Sequence, residues 1–317
     1  MAEQSPHVLA TRKGSLQLPT FFPVTTFGDK YPLDRLIRPY LPRLAQGVLV
    51  SHHYAAHLDE HPDEHPGVPL FIDSGGFALL FDGATVVERN NVFAITTKEG
   101  DTITPDQVLA RQMRHAEIGA TLDFPIPPAC ESKDEQHQRF RATLTNAEWA
   151  LRNNRRADLL LYASLQCWDA DSAREAASAY AQMRNHSQAF AGIAIGGMVP
   201  RLRDPDHVRG VIEAVRAEWS GPIHVFGVGN PIMVRNCLEW GADSTDSSSF
   251  VKYAASGRHL NPRVPPVAED QLTPLGRMQL ALRNLAYLHD PTNDHLPLSA
   301  IGGSPAQFPV ALQETRA

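Results

Sequence analysis

A chain of 317 residues, 43% hydrophobic and 20% charged, has enough apolar mass for one large core and excludes an intrinsically disordered chain or a coiled coil. Its formal charge of −6 gives no global attraction to nucleic acid or to an anionic membrane, although a local basic face is compatible with a negative total. No stretch reaches the ~20 consecutive apolar residues that a bilayer requires, and Met1 to Pro6 lacks a signal-peptide layout. A cytoplasmic location without a membrane partner is expected.

Short apolar, β-branched runs recur along the chain, each closing on a polar or glycine cluster. In order they are Phe21–Val24, Gly47–Ser51, Pro69–Asp73, Thr121–Phe124, Leu159–Gln166, Gly192–Gly197, Ile223–Val228 and Ala242–Thr245. Most are followed by helix-compatible segments. Pro105 opens one in which Val108, Leu109, Met113 and Ile118 share a face and Gly119 closes it; 171–184, 206–219 and 231–240 read alike. The alternation predicts an α/β fold, and eight strands fit a (β/α)8 TIM-type barrel, with a doubly wound sheet as the competing arrangement. Between residues 77 and 104, two β-like runs flanked by Asp82-Gly83, Asn90-Asn91 and Glu99-Gly100-Asp101 predict a β-hairpin insertion after strand 3. The barrel is expected over 1–260. A short C-terminal helical extension over 261–290 has Leu275, Met278, Leu282 and Leu285 at helical spacing, and 291–317 reads as a flexible tail.

In a barrel, chemistry collects where the strands end at their carboxyl termini. Here six successive strand ends offer an acid, an amide or glycines: Asp73-Ser74-Gly75-Gly76-Phe77, Asp123, Gln166, Gly196-Gly197, Gly227-Val228-Gly229-Asn230-Pro231, and Asp246. Each has a plain structural reading too. A lone aspartate at a strand end also caps helices, glycine pairs also make tight turns, and the Ser74 hydroxyl can satisfy its own turn. Their joint placement on one rim favours function.

The strings themselves go further. Asp73–Phe77, then Asp123, Gln166, Ala194–Gly197, Phe226–Pro231 and Gly241–Ser247, all in this order, resemble the tRNA-guanine transglycosylase superfamily over roughly residues 19 to 260. The run from Asp246-Ser247-Ser248-Ser249-Phe250 to Arg258 is more similar to the archaeosine-type and DNA-inserting branches than to the bacterial queuosine type. The resemblance implies an enzyme, a pentosyltransferase that exchanges guanine in a polynucleotide for a 7-deazaguanine base by two displacements at the anomeric carbon, without a cofactor. It implies Asp246 as the nucleophile and Asp73 as the general acid/base. Asp123, Gln166 and Gly197 would read the base, with Gly196 allowing close approach, Ser74 assisting and Met198 shaping the pocket wall. Asp243, three residues upstream, competes with Asp246 for the nucleophilic role.

The chain also departs from the family pattern. Its three cysteines, Cys130, Cys167 and Cys237, have no CxxC spacing, so the family's C-terminal cysteine-built zinc site is missing and no metal is expected. His52, His53, His57, His61 and His65 could substitute, but Pro62, Pro66 and the interleaved acids point to a solvated loop. Lys252, Arg258 and Arg263, continued by Arg277 and Arg283, form a segment suited to phosphate contacts, or else to snorkelling along the barrel. With the zinc module missing, DNA leads and tRNA follows closely as the expected acceptor, and a homo-oligomer or partner protein stays open. Two other readings compete: a non-catalytic partner subunit, and an unrelated phosphate-binding barrel enzyme using Gly227–Asn230.

Overall fold

The computed structural model describes residues 8–185, 188–268 and 272–289; the expected tail over 291–317 lies outside the described residues. An antiparallel hairpin of β1 (Val8–Thr11) and β2 (Gly14–Gln17) leads into β3 (Thr20–Thr25), β4 (Val48–Val50) and β5 (Leu70–Ile72). An antiparallel insertion of β6 (Thr85–Arg89), β7 (Val92–Thr96) and β8 (Thr102–Ile103) follows. The chain resumes with β9 (Ile118–Ala120), β10 (Leu160–Leu165), β11 (Gly192–Ile195), β12 (Ile223–Val225) and β13 (Ser244–Ser247). The parallel strands β3, β4, β5 and β9 to β13 close into one barrel, with β13 pairing back onto β3. Closure identifies a (β/α)8 barrel and excludes the doubly wound sheet. No helix among the described residues is long and apolar enough to cross a membrane.

Strand parity sorts the side chains. Leu49, Phe71, Tyr162 and Ala194 fill the barrel interior, whereas Val48, Val50, Leu70, Ile72, Ile223 and Val225 face the surrounding helices. Polar caps start those helices. Thr104 and Gln107 make a reciprocal capping box ahead of Pro105–His115, and Asp169 with Ser172 does the same ahead of Ala170–Gln182. Asp204 and Asn230 cap Pro205–Glu218 and Pro231–Glu239, each followed by proline at the first helical position. The helix Pro274–His289 packs Leu282, Leu285 and Leu288 into the same core as the barrel's outer face.

The fourth barrel strand lies three residues earlier than the sequence suggests. The Pro105 helix ends at His115, and Gly119, expected to close that helix, sits inside β9. The reason is the Gln112 amide, which donates to Ala120 O (2.7 Å) and Ile72 O (3.1 Å); a Cβ at Gly119 would lie 2.6 Å from Gln112 Oε1. Among the elements that the sequence reading does not contain are the β1–β2 hairpin, the third strand β8 of the insertion, the short helices between β3 and β5, the helix Ser249–Ala255 and the helix Lys133–Asn153. The apolar stripe of that helix is broken by buried Thr143 and Asn146. Asn146 exchanges two hydrogen bonds with the Phe93 backbone (2.9 and 2.8 Å) and so ties the helix to the inserted sheet.

The β1–β2 hairpin closes the amino-terminal end of the barrel. Leu16 is fully buried in the interior cluster with Phe22, Leu49, Phe71 and Tyr162. Arg12 clips the turn to Glu117, just before β9 (3.2 Å), and to Asp158, just before β10 (3.1 Å). Truncating Leu16→Ala leaves a cavity in a rigid wall and should lower unfolding free energy by roughly 2–5 kcal/mol in a denaturant titration.

Candidate active site

Asp73 follows β5 directly. Its Oδ1 accepts from the backbone N–H of His52 and of Gly75, both at 2.9 Å. Burial nevertheless lifts its carboxyl to about 7, with the like charges of Asp246 and Asp123 adding to the rise against those two hydrogen bonds. Asp73, Asp123 and Asp246 all lie at the carboxyl ends of barrel strands, on one rim. Behind Asp73, the His52 ring is held near pKa 3 by burial and by the neighbouring Arg111 guanidinium, 2.7 Å from Nε2.

Asp123, 5% exposed, lies three residues past β9. Its Oδ1 accepts from the Ser74 hydroxyl and its Oδ2 from Gln166 Nε2 (2.5 Å), while burial raises its pKa. Ser74 Oγ in turn accepts from Gly76 N (2.9 Å). The glycines exist for this carboxylate and amide: a Cβ at Gly76 would meet Asp123 Oδ1 at 2.3 Å, and one at Gly196 would meet Gln166 Nε2 at 2.1 Å. Gly197 adopts φ 71°, and its carbonyl accepts from buried Arg201 (2.8 Å), which also reaches Ile126 O (2.9 Å). Sequence reasoning missed Arg201, because both its partners are backbone carbonyls. Met198 is not where it was expected. It is fully buried in the outer core, so it backs the glycine turn from behind and does not line an open wall.

Asp246 stands on β13, 6% exposed. Its Oδ1 receives Gly227 N–H (2.8 Å) and lies 3.1 Å from His224 Nε2. His224 is a second missed residue; its signal was a lone polar side chain between Ile223 and Val225, at the position whose parity faces inward. Asp243 is engaged elsewhere. Just before β13, it receives Ile223 N–H (2.8 Å) and pairs with Arg216 (2.5 Å), which also donates to Gly241 O. The Gly227–Pro231 loop is likewise committed: Gly227 N–H holds Asp246, Gly229 O accepts from Ser249 Oγ (3.0 Å), and Asn230 caps a helix.

Lys252, Arg258 and Arg263 are exposed, on or after the helix Ser249–Ala255 that follows Asp246. The Arg258 guanidinium stacks over Tyr253, 4.7 Å from its centroid. Arg277 donates to Ala255 O. The segment 52–65 is not the expected solvated loop but holds the short helices His52–Ala55 and His57–Glu60 with His52 buried; His57 stacks on Phe27 (4.8 Å), packs against His61 (4.6 Å) and bonds Glu64 (2.9 Å), and His65 bonds His115 O (3.2 Å). Among the described residues, no three His, Cys, Asp or Glu side chains are grouped to hold a metal ion. An exposed aromatic pair, Phe77 and Phe81, packs edge to face at 5.6 Å on the turn after Gly76.

The raised Asp73 pKa is linked to stability. An unfolded aspartate titrates near 3.8 and the folded one near 7, so between these values the native state holds the extra proton and rising pH removes stability; above about 7 the loss is complete. Asp73→Asn keeps the acceptor oxygen and removes the charge. Urea titrations should find the variant equal to the parent near pH 4 and more stable at pH 8, and an unchanged difference between the two pH values would contradict the shift.

Comparison with known proteins bears on this arrangement. The family model described as queuine tRNA-ribosyltransferase matches residues 7–296. The tRNA-guanine(15) transglycosylase of Haloferax volcanii is 27% identical over 230 residues, covering 70% of this chain and 42% of the relative. That of Methanosarcina barkeri is 26% identical over 260 residues, 80% of this chain and 49% of the relative. The chain thus spans half or less of the length of these curated relatives. The match over most of the chain shows that this protein belongs to the queuine tRNA-ribosyltransferase family.

Proposed function

We infer that the protein is a transglycosylase that replaces guanine in a polynucleotide by a 7-deazaguanine base. The observation that carries this reading is the pairing of Asp73, neutral up to about pH 7, with Asp246, whose carboxylate is anchored by one oxygen on the same rim. In the first displacement a lone pair of Asp246 Oδ2 forms a bond to C1′ of the extruded nucleoside, the C1′–N9 bond breaks, and Asp73 delivers its proton to the departing guanine. In the second, Asp73 takes the N9 proton of the incoming base, N9 bonds to C1′, and the C1′–Oδ2 bond breaks to return the carboxylate. A group that gives and then takes a proton at neutral pH needs a pKa close to 7.

Asp123 supplies acceptors for the ring N–H and exocyclic amino group of guanine, and Gln166 with the Gly196-Gly197 backbone answers the carbonyl oxygen. Phe77 and Phe81 offer a stacking surface to neighbouring bases, and Lys252, Arg258 and Arg263 contacts to the phosphate chain. The retained Asp73, Asp123, Gln166 and Asp246 favour a catalyst over a non-catalytic subunit. A phosphate-binding barrel is disfavoured by the internal engagements of Gly227, Gly229 and Asn230. The relatives' names support tRNA as the acceptor.

Incubation with radiolabelled guanine plus bulk tRNA or duplex DNA separates the two acceptors; label retained by neither overturns the reading. A denaturing gel should show a protein–polynucleotide adduct for the parent and none for Asp246→Asn. Asp123→Ala leaves guanine's buried donors unanswered, worth about 1–3 kcal/mol, and should raise the KM for the base roughly 5- to 150-fold.

A further inference from the structure

His224 occupies the inward-facing position of β12 and is fully buried. Its ring is boxed by Phe71 (4.9 Å between centroids), Phe226 (4.7 Å) and Phe22 (5.9 Å). An apolar residue would suit this box better unless the two ring nitrogens had partners, and both have them. Nδ1 lies 2.9 Å from Ser244 Oγ, on the residue paired with His224 across the β12–β13 register, and Nε2 lies 3.1 Å from Asp246 Oδ1. Ser244 and Asp246 are two apart on β13 and share its inward face, which aligns hydroxyl, imidazole and carboxylate in one row.

We propose that His224 is a positioning residue for Asp246, its Nε2–H donated to Oδ1 in the tautomer that the Ser244 hydroxyl selects. An ionised carboxylate only accepts, so the nitrogen facing Asp246 carries the proton; Nδ1 is left to accept from Ser244 Oγ–H. Gly227 N–H falls on the same Oδ1, and Oδ2 carries neither bond. The two donors therefore orient the carboxylate with Oδ2 as its reactive oxygen. This step rests on the base-exchange reading: once Oδ2 is esterified to C1′, Oδ1 is the ester carbonyl oxygen. His224 and Gly227 then stabilise the charge that returns to it when the C1′–Oδ2 bond breaks. The second displacement, more than the first, depends on His224.

The test compares the full chain with His224→Phe, which keeps the ring's bulk without a donor, and His224→Gln, whose amide N–H can reach the Nε2 position. Loss of a hydrogen bond to a charged group should lower kcat for guanine exchange about 10- to 100-fold in His224→Phe, with the KM for the base little changed and the covalent adduct longer-lived. His224→Gln should recover part of kcat. A kcat equal to the parent's in His224→Phe overturns the proposal. So does a parallel fall in Tm, kcat and affinity with no recovery in His224→Gln, which would mark the ring as filler. A parent protein that exchanges no base overturns the functional reading instead, and His224 is then judged by histidine 15N NMR. That spectrum should show Nε2 protonated and Nδ1 bare in the parent, shifting toward a tautomer mixture in Ser244→Ala; a protonated Nδ1 with a bare Nε2 overturns the assignment.

Discussion

Carboxylates taken out of water resist ionisation, and the acids at this rim answer that constraint with donated hydrogen bonds. Asp73, Asp123 and Asp246 converge on one end of the barrel, and each is met by donors drawn from a different strand end. The compensation is uneven. Asp123 has one donor on each oxygen, from Ser74 and Gln166, whereas Asp73 and Asp246 are held by one oxygen only. Burial outweighs these donors at both Asp73, whose pKa rises to about 7, and Asp123, whose pKa is raised as well. Different hydrogen-bond partners around similar acids thus distinguish the reader, the proton carrier and the nucleophile of the proposed reaction.

The geometry that makes this possible is the parity of the strands. Asp243 and Asp246 are three residues apart, so only one of them can share the inward face of β13 with Ser244. The inward one meets His224 and Gly227, and the other is engaged by Arg216 and Ile223 N–H. Counting residues along the strand distinguishes the two aspartates without any appeal to family resemblance. The glycines obey the same economy of space: Gly76 and Gly196 lack a Cβ because Asp123 and Gln166 already fill that volume.

Much of this was readable from residues alone, for physical reasons. Seven of the eight barrel strands overlap the apolar, β-branched runs that end in acids, amides and glycines, and barrel closure puts the ends carrying Asp73, Asp123, Gln166 and Asp246 on one rim. The failures share one cause. Gly119 imitates a helix stop, yet it serves a side-chain amide reaching in from Gln112. The helix Lys133–Asn153 hides its inner face behind Thr143 and Asn146, whose hydrogen bonds are made to distant segments. Arg201 and His224 likewise take their meaning from partners far along the chain. Periodicity reports what a residue does for its own element, and these residues work for another.

The plug formed by Leu16 and the Arg12 clips seals the end of the barrel opposite the acids. A barrel closed at one end would impose traffic rules on the proposed swap of two similar heterocycles. In the proposed reaction the displaced purine leaves from the rim at which its successor enters, so the pocket has to empty before it refills. During that interval C1′ of the sugar would be bonded to the protein in place of a base, and the fidelity of the proposed exchange depends on how well water is kept from reaching it first.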